Sequence, residues 1–250
     1  MMNGRDSMIR FIFAALFVVL FLIFSIPLFL IEWIIGKFNM PLKDKSSLAI
    51  VNWAFRVVLF ISGVRLTVIG EENVPQDQPV LYVANHRSYF DILLTYTRVP
   101  RPTGYIAKKE MLKVPLLSIW MKYLHCLFLD RENIKEGLKT IIEAIDLIKR
   151  GISVCIFPEG TRNKVDEMMP FKEGSLKIAE KSGCPIIPMA ITNSAEIFEN
   201  HVPKIKKANV VLEYGKPFYI KDLSKEDQKF AGAYTQRIIA DMLEKQKNPS

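Results

Sequence analysis

The sequence predicts an α/β fold: a largely parallel central sheet flanked by helices, preceded by an N-terminal two-helix membrane element. Three observations carry this prediction. Short apolar runs such as Val80–Ala84, Ile152–Phe157 and Ile186–Ile191 alternate with longer helical stretches, the pattern of strands joined by crossover helices. The run 152–157 is apolar but for Ser153, as expected of a strand covered on both faces. The segment from Phe11 to Ile31 carries no charged residue.

That segment, as a helix, is about 31 Å long, enough to cross a bilayer core. Arg10 and Glu32 bracket it, and Pro27, with Ser25 before it, predicts a kink. Basic residues flank both ends: Arg5 and Arg10 before, Lys37, Lys43 and Lys45 after. Symmetric charge gives no orientation by the positive-inside rule and suits a segment that dips in and stays on one side. A connector over residues 36–45, with Pro41 and three lysines, turns the chain. Ser46 to Ser62 then reads as an interfacial amphipathic helix: Asn52 and Arg56 share one face, and Leu48, Val51, Phe55, Val58 and Leu59 form the apolar surface. A single transmembrane anchor is the alternative. Residues 1–62 are therefore taken as the membrane element and 63–250 as the α/β domain.

From Val64 the period shortens. Val64–Ile69 alternates as a strand, and Asn73-Val74-Pro75 turns the chain. Val80–Ala84 is the next strand, followed by a helix over residues 88–97. A strand over 104–107 and a helix over 112–123, entered through Pro115, come next. A strand over 126–129 leads to the helix marked by Ile134, Leu138, Ile141, Ile145 and Ile148, which Gly151 ends. The strand 152–157, a helix over 173–182, strands over 186–191 and 210–214, and a polar helix over 225–247 complete the chain.

Half the residues are hydrophobic and the net charge is +8, and mean hydropathy is positive at +0.15. A basic, apolar chain fits anionic partners, a phospholipid surface or phosphorylated substrates. Nucleic acid is not expected, because no aromatic-interleaved basic motif or zinc-finger spacing is present. Cys126, Cys155 and Cys184 are odd in number and lie within apolar segments, as core residues in a reducing compartment do.

Two buried strands end in polar loops, where α/β proteins tend to put their chemistry. The first loop is Asn85-His86-Arg87-Ser88-Tyr89-Phe90-Asp91. On a regular helix His86 and Asp91 stand roughly 500° apart and cannot share a face. They meet only if His86 precedes the helix and Asp91 sits in its first turn. Ser88 then takes the N-cap and Asp91 the capping-box position. The plain readings are a loop histidine and a helix-capping carboxylate. The second loop is Pro158-Glu159-Gly160-Thr161-Arg162. Gly160 permits close backbone approach or a positive φ, Arg162 offers a planar fork for phosphate or carboxylate, and Glu159 can bind a substrate hydroxyl or hold Arg162. The plain reading is a turn with an internal ion pair.

Asn-His-x4-Asp followed by Phe-Pro-Glu-Gly-Thr-Arg, in this order and spacing, resembles the glycerolipid acyltransferase family over roughly residues 64–215. Phe128 and Arg131 match the family's middle block, in which His125 stands where glycine is usual. Pro185-Ile186-Ile187-Pro188 matches its last block, and Ala107-Lys108-Lys109-Glu110 looks like its Ala-Lys-x-Glu segment.

The resemblance implies acyl transfer from a thioester, acyl-CoA or acyl carrier protein, to the sn-2 hydroxyl of lysophosphatidic acid, with no metal and no cofactor beyond the thioester. The absence of a Gly-x-Ser-x-Gly elbow and of a metal-ligand cluster in the sequence agrees. The resemblance makes His86 the general base and Asp91 its orienting partner. It makes Arg162 the principal phosphate ligand, helped by Lys108 and Arg131, with Glu159, Gly160 and Thr161 shaping the loop. It also implies a catalytic domain on the cytoplasmic side of a cell membrane or cell inner membrane, against an anionic surface. Acylation of glycerol 3-phosphate or of another lysophospholipid uses the same motifs. A non-catalytic lipid-binding membrane protein is the alternative of another class.

Overall fold

The computed structural model describes residues 4–165 and 167–247. Two apolar helices come first, α1 (Gly4–Phe38) and α2 (Met40–Ser62). Each is long and apolar enough to cross a membrane by length and composition. α1 runs through Pro27 without interruption. The expected ten-residue connector is in fact one residue, Asn39. Its side chain caps α2 by accepting from the Leu42 N–H at 3.0 Å, and Pro41 lies in the first turn of α2, where a missing N–H costs nothing. The buried carboxylate of Glu32 accepts from the Ser46 and Ser47 hydroxyls at 2.8 and 3.1 Å, which pins the helices together. The outer surface of α1 is apolar and open, with Phe24 70% exposed.

The sheet has seven strands: β1 (Arg65–Ile69), β2 (Leu81–Ala84), β3 (Thr103–Lys108), β4 (Leu127–Leu129), β5 (Ser153–Ile156), β6 (Ile186–Thr192) and β7 (Asn209–Tyr214). Their order is β1-β7-β6-β2-β5-β3-β4. All neighbours are parallel except β6 and β7. The strands β6, β2, β5, β3 and β4 therefore point one way and end on one edge.

The helices after α2 are α3 (Phe90–Tyr96), α4 (Leu117–Tyr123), α5 (Ile134–Lys149), α6 (Lys177–Ser182), α7 (Lys225–Lys229) and α8 (Ala231–Lys247). Side-chain alternation along β2 gives two cores. Tyr82 and Ala84 pack with α1, α2, α3 and Trp120. Leu81 and Val83 pack on the other face with α5, α6 and α8. Both faces are covered, which explains why all four residues of β2 are buried.

Three helical expectations shift. The helix expected over 112–123 begins at Leu117, because the chain first makes a 3₁₀ turn over Lys109–Lys113 and Leu116 then takes φ 61°. The one expected over 173–182 opens as a 3₁₀ turn, Glu173–Leu176. The final helix breaks at Phe230 into α7 and α8.

Candidate active site

His86 follows β2 by two residues, and the intervening Asn85 fixes where it stands. The Asn85 side chain donates to the Ile191 carbonyl at 2.9 Å and accepts the Ile191 N–H at 2.8 Å. It thus stands in for one more rung of the ladder with β6. The alternation that puts Tyr82 and Ala84 on the α1/α2 face carries His86 to the same side, where its ring stacks on Phe157 with centroids 4.2 Å apart.

Asp91 lies in the first turn of α3 and is fully buried. Its Oδ2 accepts from the Arg87 N–H at 2.7 Å and the Ser88 N–H at 2.8 Å, and it is 2.9 Å from Nδ1 of His86. The capping and orienting roles thus coexist in one oxygen. Two backbone donors already occupy that oxygen, so it serves His86 as an acceptor. Nδ1 therefore carries the ring proton of the neutral imidazole, and Nε2 presents a lone pair. The expected capping box is present: the Ser88 hydroxyl accepts from the Phe90 N–H at 2.9 Å while Asp91 accepts the Ser88 N–H, although the regular turns of α3 begin only at Phe90.

The second loop follows β5, the immediate neighbour of β2. Glu159 does not hold Arg162. It is only 3% exposed and turns inward, its two oxygens accepting the His86 N–H at 2.7 Å and the Met169 N–H at 3.0 Å. Burial pushes its carboxyl above the ordinary range, and these two backbone donors oppose the shift. A second strut joins the loops, from the Asn163 N–H to the His86 carbonyl at 2.7 Å. Gly160 has φ +77°, and a Cβ there would meet Nζ of Lys172 at 3.0 Å. Thr161 is exposed.

Arg162 lies across the face of Tyr89, its Cζ 3.5 Å from the ring centroid. Nη1 donates to Glu199 at 3.2 Å. The same carboxylate accepts from the Ser88 hydroxyl at 2.5 Å and the Tyr89 N–H at 2.7 Å. Glu199, Tyr89, Asn85 and Phe157 are the parts that sequence reasoning missed. Of these, Asn85 and Tyr89 lie inside the first motif and Phe157 opens the second, whereas Glu199 has no motif of its own.

Lys108 ends β3 and Arg131 follows β4. Both are exposed, on the same edge as His86 but two and three strands along from β2. At about 4.8 Å per strand, they border the site at its far side and do not join the His86–Arg162 cluster. The Lys109–Asp130 ion pair, 2.6 Å, ties the two strand ends. His125 has φ 58°, a backbone conformation that favours glycine. Its ring points away from the cluster, to Asp44 of α2 at 2.9 Å.

A cavity of about 290 Å³ opens between the ends of β6 and α8, with Asn85, Arg87, Glu159 and Asn163 among its walls. His86 is not one of its walls, because alternation sends Asn85 and Arg87 to the opposite side from the imidazole. Burial pushes the Cys155 and Cys184 thiols up, away from the thiolate a nucleophile needs. Among the described residues, no group of three or more His, Cys, Asp or Glu is placed to hold a metal ion.

A family model described as Acyltransferase matches residues 65–192. A 1-acyl-sn-glycerol-3-phosphate acyltransferase of Borreliella burgdorferi is 30% identical over 176 residues, 70% of this chain and 67% of the relative. A probable 1-acyl-sn-glycerol-3-phosphate acyltransferase of Mycoplasma pneumoniae is 35% identical over 162 residues, covering 63% of this chain and 60% of its own length. The match to the Cocos nucifera enzyme of that description spans only 55% of the relative. Among solved structures, the 1-acyl-sn-glycerophosphate (LPA) acyltransferase PlsC from Thermotoga maritima has the same fold. Its TM-score is 0.84 at 24% identity, over 98% of this chain and 97% of that one.

Proposed function

The chain belongs to the acyltransferase family, and from that premise we propose that it moves a fatty acyl group from an acyl thioester to the sn-2 hydroxyl of 1-acyl-glycerol 3-phosphate, giving phosphatidic acid. The observation that carries this reading is the His86–Asp91 pair, 2.9 Å apart, on the same sheet edge as the cation Arg162. A base for an alcohol and a ligand for a phosphate stand on two adjacent loops, stapled to each other through Glu159 and Asn163. The relatives named for this reaction support the choice of acceptor.

In the reaction, the acceptor hydroxyl gives its proton to Nε2 of His86 as its oxygen attacks the thioester carbonyl. Asp91 stabilises the imidazolium that forms. The tetrahedral intermediate collapses by breaking the C–S bond, and the thiolate leaves with the proton held on Nε2. The thioester is already activated, so this route uses no enzyme acyl intermediate, no metal and no further cofactor. The donor is a CoA or acyl carrier protein thioester. Arg162 binds the acceptor phosphate, with Lys108 and Arg131 guiding anionic groups along the edge.

His86 faces the side of the sheet that carries α1 and α2, so an acyl chain held by these helices approaches the base directly. The open apolar surface of α1 supports membrane association; the further reading, a catalytic domain on the cytoplasmic side of a cell membrane or cell inner membrane, rests on the family resemblance alone. Nearby lysines add roughly 1 kcal/mol each toward an anionic surface.

A panel of acceptors tests the reading: lysophosphatidic acid, glycerol 3-phosphate and lysophosphatidylcholine, each with acyl-CoA and with acyl carrier protein, followed by thiol release. Turnover is expected to be highest with lysophosphatidic acid. Highest turnover with either other acceptor would move the assignment to that substrate, and no release with any would leave a lipid-binding protein.

A further inference from the structure

Arg162 is the proposed phosphate ligand, and its guanidinium faces a carboxylate from another part of the fold. Glu199 comes from a 3₁₀ turn after β6, Glu199–His201. Its side chain is 17% exposed and that of Arg162 34%, so the pair is shielded from solvent only in part. We propose that Glu199 is an internal counter-ion that occupies Arg162 until the acceptor phosphate displaces it, and so sets how tightly phosphorylated acceptors bind. This rests on the phosphate role given to Arg162.

Two features suit the pair to opening. The first is where Glu199 is left. It keeps the Ser88 hydroxyl at 2.5 Å and the Tyr89 N–H at 2.7 Å when Arg162 departs. A carboxylate stripped of all its donors in a half-buried site would carry a large desolvation cost; this one is not stripped. The second is where Arg162 is left. Its guanidinium rests on the Tyr89 ring at 3.5 Å, a contact independent of Glu199. The ion pair can thus break while each partner keeps a hold.

The geometry also explains why the anchor is the start of α3. Ser88 and Tyr89 lie between His86 and Asp91 in sequence, so the carboxylate that meets Arg162 is fixed to the segment that carries the base. Glu199 is a positioning residue: it touches Arg162 and the His86 loop, and no reacting atom.

The test uses the full chain and Glu199→Gln, which keeps the shape and an acceptor oxygen but removes the charge. Loss of a partly exposed ion-pair partner is expected to lower the acceptor KM, and the Ki of inorganic phosphate as competitor, by about two- to fivefold, without raising kcat. A merely structural role would lower kcat or Tm and leave KM and Ki unchanged or raised, and that result overturns the proposal. Arg162→Ala is measured alongside. If it leaves the acceptor KM unchanged, the phosphate role of Arg162 fails; if it raises KM while Glu199→Gln does not lower it, only the counter-ion role fails. A crystal structure of the unaltered protein with inorganic phosphate covers the case in which the variant does not fold. The expected structure has phosphate on Arg162, with Glu199 still on Ser88 and Tyr89. Phosphate bound elsewhere with the Arg162–Glu199 contact intact contradicts the proposal.

Discussion

Nδ1 of His86 is 2.9 Å from Oδ2 of Asp91, an oxygen that also accepts the N–H groups of Arg87 and Ser88. One atom therefore caps the turn into α3 and sets the imidazole tautomer. Asp91→Asn keeps an acceptor for the backbone donors but removes the charge opposite the imidazolium. The expected outcome is a kcat lower by about 10²-fold or more with little change in Tm. A variant that loses Tm and kcat in proportion would show that Asp91 acts through folding alone.

Gly160→Ala separates the second loop's conformation from its chemistry. The obstacle is mainly the backbone: at φ +77° a side chain costs about 1–2 kcal/mol, whereas the Lys172 ammonium can move aside. A lower Tm and a raised acceptor KM are expected together, because Arg162 is two residues on. Calorimetry paired with acceptor titration checks this; an unchanged KM would uncouple the turn from the phosphate ligand.

Glu159 gives a pH signature of stability. Its folded pKa lies above the ordinary 4.5, chiefly through burial, so the folded chain binds this proton more readily than the unfolded one. The stabilising share is fully present below the unfolded value and is lost as pH rises through the folded one. Denaturant unfolding of the parent and Glu159→Gln across that interval is expected to show the parent losing stability relative to the variant as pH rises. A constant or widening parental advantage would mean that Glu159 is not held in the neutral-favouring environment its burial describes.

The exposed face of α1 is open to a direct charge test. Phe24, 70% exposed, lies mid-helix. An aspartate there costs about 2.5–3.5 kcal/mol in a bilayer centre, so Phe24→Asp is expected to weaken binding to anionic vesicles by roughly two orders of magnitude. Turnover of detergent-dispersed substrate should remain. Vesicle flotation at parental levels would place the membrane contact elsewhere.

The two candidate-site loops were legible because parallel strands buried on both faces read as nearly continuous apolar runs, and the polar residues after them stand out. Spacing set only the condition for His86 to meet Asp91, a helix start between them; the pairing itself was implied by the family resemblance. Other features depend on tertiary context. Pro41 reads as a turn residue but sits inside the first turn of α2, because Asn39 alone reverses the chain. Pro115 reads as a helix entry, yet the left-handed Leu116 delays α4. Glu159 and Arg162 looked like partners within one turn. The His86 and Met169 N–H groups hold Glu159 inward, and the carboxylate that meets Arg162 comes from Glu199. No local pattern marks Glu199, whose contact depends on how the segment after β6 folds back over the start of α3.

In the proposed reaction His86 removes the proton from the acceptor hydroxyl. The most direct test of this step is the turnover of lysophosphatidic acid by His86→Ala, with acceptor binding measured separately by calorimetry. The expected result is a kcat lower by about 10²–10⁴-fold with an acceptor Kd near the parental value. A variant that keeps its kcat, or loses activity only because it no longer binds the acceptor, contradicts it.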